Sequence, residues 1–95
     1  MRIVIATVET PEAAAWTTPA SIIAAVRAAA VPEDELAHVY ADLLPAGFGV
    51  VVYLLVPRAR AAATGSRLIL AAADSLELAD WTLGEVKVWD PAPFS

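Results

Sequence analysis

The groups best suited to chemistry occupy alternate positions of one short segment. His38, Tyr40 and Asp42 supply an imidazole, a phenol and a carboxylate. Residues two apart on an extended chain point to the same side, so a strand here would place all three groups on one face. An imidazole that a carboxylate orients can act as a general acid or base. This is the only catalytic arrangement that the sequence suggests.

Little else in the sequence supports catalysis. His38 is the only histidine, and the absence of cysteine excludes disulfides and thiolate sites. The acidic run at residues 33–35 suits a turn or a helix start better than a metal site. The segment Thr64-Gly65-Ser66 lacks the lysine and the flanking glycines of a phosphate loop. We therefore expect no catalytic residue, no metal and no cofactor.

Charge and hydropathy limit the classes of binding partner that the protein can have. The net charge is −5, which opposes binding to nucleic acid because phosphates need a cationic surface. The clustered cations Arg58, Arg60 and Arg67 are typical of a solvated helix face. The longest uncharged run, Leu43 to Pro57, is broken by proline and glycine and is too short to span a membrane. We expect a cytoplasmic protein with neither a nucleic-acid nor a membrane partner.

Two strands and a helix are clear from their patterns. Residues Arg2–Val8 and Phe48–Val56 are rich in β-branched and apolar residues, and both segments are apolar on their two faces. That pattern predicts central strands. Between them, Thr18 and Pro19 are typical of a helix start, and the helix should end before Pro32.

The segment from Glu35 to Leu44 is ambiguous. As a helix it would follow Pro32 and a cluster of acids and would have an apolar stripe. As a strand it would be apolar on one face and mixed on the other. The turn signal Pro45-Ala46-Gly47 precedes a strong strand, which favours a hairpin and therefore the strand.

A second helix should begin at Pro57, and a last strand should cover Trp81–Trp89. Gly65 lies on the packing stripe of the helix, where it either permits close approach to the sheet or breaks the helix. Strict alternation in the last strand puts Val86 and Val88 on one face. The opposite face would carry Trp81, Leu83, Glu85, Lys87 and Trp89.

The resulting order, β-α-β-β-α-β over residues 1–95, resembles the ferredoxin-like fold. The resemblance implies a single α+β domain with a four-stranded antiparallel sheet and two helices on one face. The chain also resembles short alanine-rich actinobacterial proteins of unknown function, and that likeness implies no activity. It rests on the segments His38–Asp42, Gly49–Leu55 and Leu78–Leu83.

Helices on one face would leave the other face of the sheet exposed and apolar, as at an interface. If the hairpin turns around Ala46-Gly47, Tyr40 lies opposite Tyr53 and His38 opposite Leu55. A one-residue slip would reverse the faces. The candidate ligand-binding or interface residues on this face are His38, Tyr40, Asp42 and Tyr53, with Lys87 and Trp89 from the far edge.

These observations favour a non-catalytic accessory or interaction domain, acting as a homodimer or as a subunit of a larger assembly. The alternative resembles the dimeric α+β barrel group, in which facing sheets enclose a small-molecule pocket lined here by the same side chains. A regulatory amino-acid-sensing module is a third possibility, although a glycine-rich loop after the first strand is missing.

Overall fold

The computed structural model describes residues 2–10, 18–77 and 81–89. The predicted loop at 9–17, apart from its first two residues, and the tail at 90–95 lie outside the described residues. Residues 78–80 also lie outside the described residues; they belong to the segment Leu78–Leu83, on which the resemblance to the alanine-rich proteins partly rests. The elements are β1 (Arg2–Glu9), α1 (Pro19–Ala29), a 3-10 turn (Pro32–Asp34), β2 (Leu36–Leu44), β3 (Gly47–Leu54), α2 (Arg58–Ser75) and β4 (Thr82–Trp89).

The strands form one antiparallel sheet in the order β2-β3-β1-β4. Together with the two helices, this order confirms the α+β, ferredoxin-like arrangement. The strand interpretation of the ambiguous segment is correct, because β2 pairs with β3 along its length and only Pro45 and Ala46 connect them. So short a connection brings the two strands together as antiparallel neighbours.

The start of α1 follows the predicted signals. Thr18 caps the helix: its Oγ1 accepts a hydrogen bond from the Ser21 N–H at 3.1 Å, and the Ser21 Oγ accepts one from the Thr18 N–H at 3.0 Å. Ile22 and Val26, one turn apart, are fully buried. Neither helix of the described residues has the length and apolar content needed to cross a membrane.

Gly65 lets α2 lie directly on β1. The helix runs through this position without a break. A Cβ added to Gly65 would lie 2.7 Å from Cγ1 and 2.8 Å from Cβ of Val4, which is closer than van der Waals contact allows. The predicted close approach is therefore confirmed, and the predicted break is not found.

We expect Gly65→Ala to destabilise the protein, although alanine is the better helix former. The intrinsic gain is about 1 kcal/mol, whereas overpacking against the stiff, β-branched Val4 costs about 1–3 kcal/mol. The expected net loss is about 1 kcal/mol of unfolding free energy, measured by urea denaturation. Gly49→Ala is the matched control, because its added Cβ would lie 3.7 Å from Leu44 Cδ1, an ordinary contact. Equal stability of Gly65→Ala and the wild type would contradict the steric argument.

The core lies between the helices and one face of the sheet. On that face, alternate residues of the central strands are at most 1% exposed. They pack with Ile22 and Val26 of α1 and with Leu68 and Ile69 of α2. The sheet residues of this core include Val4, Ala6, Val8, Phe48, Val50, Val52 and Leu54.

The hairpin register differs from the predicted one by two residues. His38 pairs with Tyr53 and Tyr40 with Val51, because the loop consists of Pro45 and Ala46 instead of turning around Ala46-Gly47. A shift of two keeps every side chain on its predicted face. The predicted pairing of His38 with Leu55 was therefore wrong, but the predicted sharing of one face by His38, Tyr40 and Tyr53 was right.

The sequence pattern predicts strict alternation along β4, but the structure departs from it. Ala6 pairs with Val86 but Val8 pairs with Leu83, so two residues of β4 stand opposite Thr7 alone. This β-bulge moves Leu83 to the helix side of the sheet, where it packs with Val86 against the core. The predicted alternation holds only for the residues after the bulge.

Candidate functional site

The sheet face opposite the helices, which we call the open face, is the candidate site. The strand registers align its side chains in four rows that run across the sheet from β2 to β4. Row 1 holds His38, Tyr53, Ile3 and Trp89; row 2 holds Tyr40, Val51, Ile5 and Lys87; row 3 holds Asp42, Gly49, Thr7 and the bulged pair Gly84-Glu85; row 4 holds Leu44, Gly47, Glu9 and Thr82.

An aromatic cluster occupies the β2 side of rows 1 and 2. The ring centroids of Tyr40 and Tyr53 lie 5.7 Å apart at 73°, and those of His38 and Tyr53 lie 6.2 Å apart at 88°. The rings of His38 and Tyr40 are 6.4 Å apart at 28°. Such edge and stacked contacts fix aromatic side chains in place at little entropic cost. The cluster is therefore an amphipathic surface patch whose rings hold one another in place.

The six predicted site residues share the open face but do not form one pocket. Lys87 and Trp89 lie on the edge strand β4, whereas His38, Tyr40 and Asp42 lie on the opposite edge strand β2. The distance between these strands is about 14 Å, three strand spacings. Lys87 Nζ instead lies 3.8 Å from Oε1 of Glu85, two residues away on β4, and both side chains are mostly exposed.

Asp42 does not orient His38. The two residues lie in rows 3 and 1 with Tyr40 between them, about 13 Å apart along the strand. Asp42 Oδ1 accepts a hydrogen bond from the N–H of Leu43 at 3.0 Å instead. The acid–base pair that the sequence suggested is therefore not assembled in the structure.

Rows 1 and 2 contain the large aromatic side chains, whereas rows 3 and 4 contain Gly49 and Gly47, and a hollow lies beside each glycine. A hollow of about 350 Å³ lies over Gly49, with walls that include Ile5, Tyr40 and Asp42. A second, of about 290 Å³, lies at the hairpin end of the sheet and is lined by residues 7–9 and 44–47. The sequence pattern did not predict these hollows. The signal was the pair Gly47 and Gly49 within a strand, where glycine often marks close approach of another group.

Apolar side chains on the open face remain accessible. Ile5 on the central strand β1 is 40% exposed, Tyr40 is 56% exposed and Trp89 is 59% exposed. Together with Val51 they form an apolar band across row 2 and into row 1. No described residue covers this band, since both described helices pack on the other face.

A close ion pair of the described residues lies away from the open face. Asp34, which is 5% exposed, forms an ion pair with Arg67 of α2 and accepts a hydrogen bond from the N–H of Val31 at 2.9 Å. The hydrogen bond from Arg67 is the main reason that the pKa of Asp34 is lowered, against the opposing effect of burial. The acidic run at 33–35 is thus part of a turn, as predicted.

The described residues contain no group of three side chains that could hold a metal ion. The features of the open face are an apolar band, an aromatic cluster, two hollows and a Lys87–Glu85 charge pair. No family model, no curated protein and no solved structure matches this chain.

Proposed function

We propose that this protein is a non-catalytic interaction domain that works in the cytoplasm as a homodimer, with the open faces of two copies packed against each other. The exposed apolar band on the sheet carries the proposal. Contiguous apolar surface of this kind is costly in water and is typical of an interface. A second sheet of the same kind would bury it, as in a sandwich of two sheets about 10 Å apart.

The size of the open face suits a dimer. Four strands about 4.8 Å apart, with eight residues that each rise about 3.3 Å, span about 19 by 26 Å, or about 500 Å². Two copies would therefore bury at least about 1,000 Å², the lower limit for a specific interface. The composition agrees, because Tyr40, Tyr53 and Trp89 are of the residue types that anchor interfaces.

A small-molecule site is the second candidate function, and the hollow over Gly49 favours it. Its volume of about 350 Å³ falls within the usual range for ligand pockets. Tyr40 and Asp42 would supply polar groups beside the apolar floor. The hollow is open to one side, so a second copy would be needed to enclose a ligand, as in the dimeric α+β barrel group.

Analytical ultracentrifugation of the wild type and of two matched variants tests the homodimer. Ile5→Glu puts a charge in the middle of the open face, and Leu70→Glu puts one on α2, at nearly equal exposures of 40% and 39%. We expect a wild-type dimer at micromolar concentration, a dissociation constant raised at least about 100-fold by Ile5→Glu, and no change in Leu70→Glu. Circular dichroism would verify that both variants fold.

A wild type that remains monomeric at millimolar concentration would overturn the homodimer. Equal weakening by the two variants would also overturn it, because the contact would then not be specific to the open face. Gly49→Val distinguishes the second candidate, since the added side chain fills the hollow. Loss of a bound small molecule on this substitution, with the dimer intact, would favour the ligand site.

A further inference from the structure

We infer that the two copies of the homodimer are related by a two-fold axis that lies midway between their facing sheets. The axis is perpendicular to the strands and passes between rows 2 and 3. This inference rests on the proposed homodimer and specifies its geometry. Each strand would then lie over the same strand of the other copy, running in the opposite direction. Row 2 would face row 3 of the other copy, and row 1 would face row 4.

The shapes of the rows support this axis. Row 2 would face row 3, where Gly49 lies at the bottom of the first hollow, and row 1 would face row 4, where Gly47 lines the second hollow. Val51 of one copy would lie over Gly49 of the other, and Ile5 would lie over Thr7. Interfaces pack at the density of protein interiors, so projecting side chains need matching hollows. The large aromatic side chains of the open face lie in rows 1 and 2, and its two glycines of β3 lie in rows 3 and 4, so a two-fold rotation can place large side chains over glycines in both directions.

The charges on β4 support the same axis. Lys87 lies in row 2 and Glu85 in row 3, on the same edge strand. The proposed rotation places Lys87 of each copy over Glu85 of the other and makes a four-charge cluster with alternating signs. On the opposite edge it places the Tyr40 hydroxyl over the Asp42 carboxylate, where the hydroxyl can donate a hydrogen bond.

A two-fold axis parallel to the strands fits less well. It would place β4 of one copy over β2 of the other and keep each row over the same row. Glu85 would then face Asp42, so two carboxylates would repel each other. The rows with the large aromatic side chains would also face themselves, and so would the rows with the glycines. The perpendicular axis avoids both conflicts.

Charge variants on β4 test the axis by sedimentation equilibrium at low salt. With the perpendicular axis, Lys87→Glu brings four acids together and Glu85→Lys brings four lysines together. Each variant alone should therefore dimerise at least about tenfold more weakly than the wild type. An equimolar mixture of the two should form a heterodimer about as tight as the wild type or tighter, because each charge then meets its opposite across the interface.

The outcomes separate the axis from the homodimer itself. A tighter Glu85→Lys dimer would overturn the perpendicular axis in favour of the parallel one, since the new lysine would then face Asp42. A dimer that neither substitution changes, or a mixture that does not recover affinity, would also overturn it. In these cases the wild type still dimerises, whereas a monomeric wild type would overturn the proposed function. Both positions are exposed edge residues, so their substitution should leave folding intact.

Discussion

Gly47→Ala should lower the unfolding free energy by about 3 kcal/mol, near the upper end of overpacking effects. Gly47 begins β3 and pairs with Glu9 of β1. A Cβ added there would lie 1.9 Å from the carbonyl oxygen of Val8, 2.9 Å from its carbonyl carbon and 3.0 Å from Cα of Glu9. These are backbone atoms of the neighbouring strand, so no side-chain rotation can relieve the clash. The start of β3 would have to separate from β1.

Urea denaturation followed by circular dichroism measures this loss, with Gly49→Ala as the control on the same strand. Gly49 faces open space apart from Leu44 Cδ1 at 3.7 Å, so its alanine should be neutral or slightly stabilising. A loss of less than about 1 kcal/mol in Gly47→Ala would contradict the backbone contact described here. A loss of similar size in both variants would point to a general intolerance of side chains on this strand.

Arg67→Met should cost about 2 kcal/mol at neutral pH, because it leaves the buried carboxylate of Asp34 without its ion-pair partner. This value is smaller than for a fully buried pair, since the Arg67 side chain is 50% exposed. Methionine keeps most of the apolar length of arginine, so the change tests mainly the charge. The contact joins the turn before β2 to α2, and its loss should loosen both.

The same pair predicts how stability depends on pH. The pKa of Asp34 is lowered in the folded protein, so the carboxylate adds stability above its ordinary pKa, and this contribution is lost as the pH falls through the folded-state pKa. The wild type and Arg67→Met should therefore differ most at neutral pH. They should converge as the pH falls below about 4 and Asp34 becomes protonated.

Denaturation curves at several pH values check this convergence. Arg58→Met is the control, because it removes the same charge from the first residue of the same helix, and Arg58 is not among the residues that shift the pKa of Asp34. It should change stability by less than about 0.5 kcal/mol. A difference between Arg67→Met and the wild type that stays constant down to pH 2 would mean that packing, not charge, explains the loss.

Local patterns were sufficient for most of the fold. Apolar residues on both faces of Arg2–Val8 and Phe48–Val56 predicted central strands, and the structure has β1 and β3 in the centre. The cap at Thr18 and the proline at Pro32 set the limits of α1. These features depend on nearest neighbours along the chain, where steric preference and hydrophobic period act directly.

The registers of the hairpin and of the last strand were harder to predict from the sequence, because they depend on contacts between strands. Whether the loop contains Pro45 and Ala46 or turns one residue later changes the partner of every residue in β2. At the bulge opposite Thr7, the Thr7 hydroxyl occupies the space that a Cβ on Gly84 would need. The alternation in β4 did not predict the bulge, although Gly84 is a sign of it, since glycine inside a strand often marks a bulge.

For the candidate site, the sequence alone determined which side chains of each strand share a face, because the two-residue period of a strand fixes the face. It did not determine which face of the sheet the helices leave open, or how the side chains are arranged across the sheet. Only the tertiary structure decided that Tyr53 of β3 contacts both His38 and Tyr40 of β2, and that the hollow over Gly49 lies between residues of three different strands. The physical reason is that such neighbours lie far apart in sequence, and strand order and register alone bring them together.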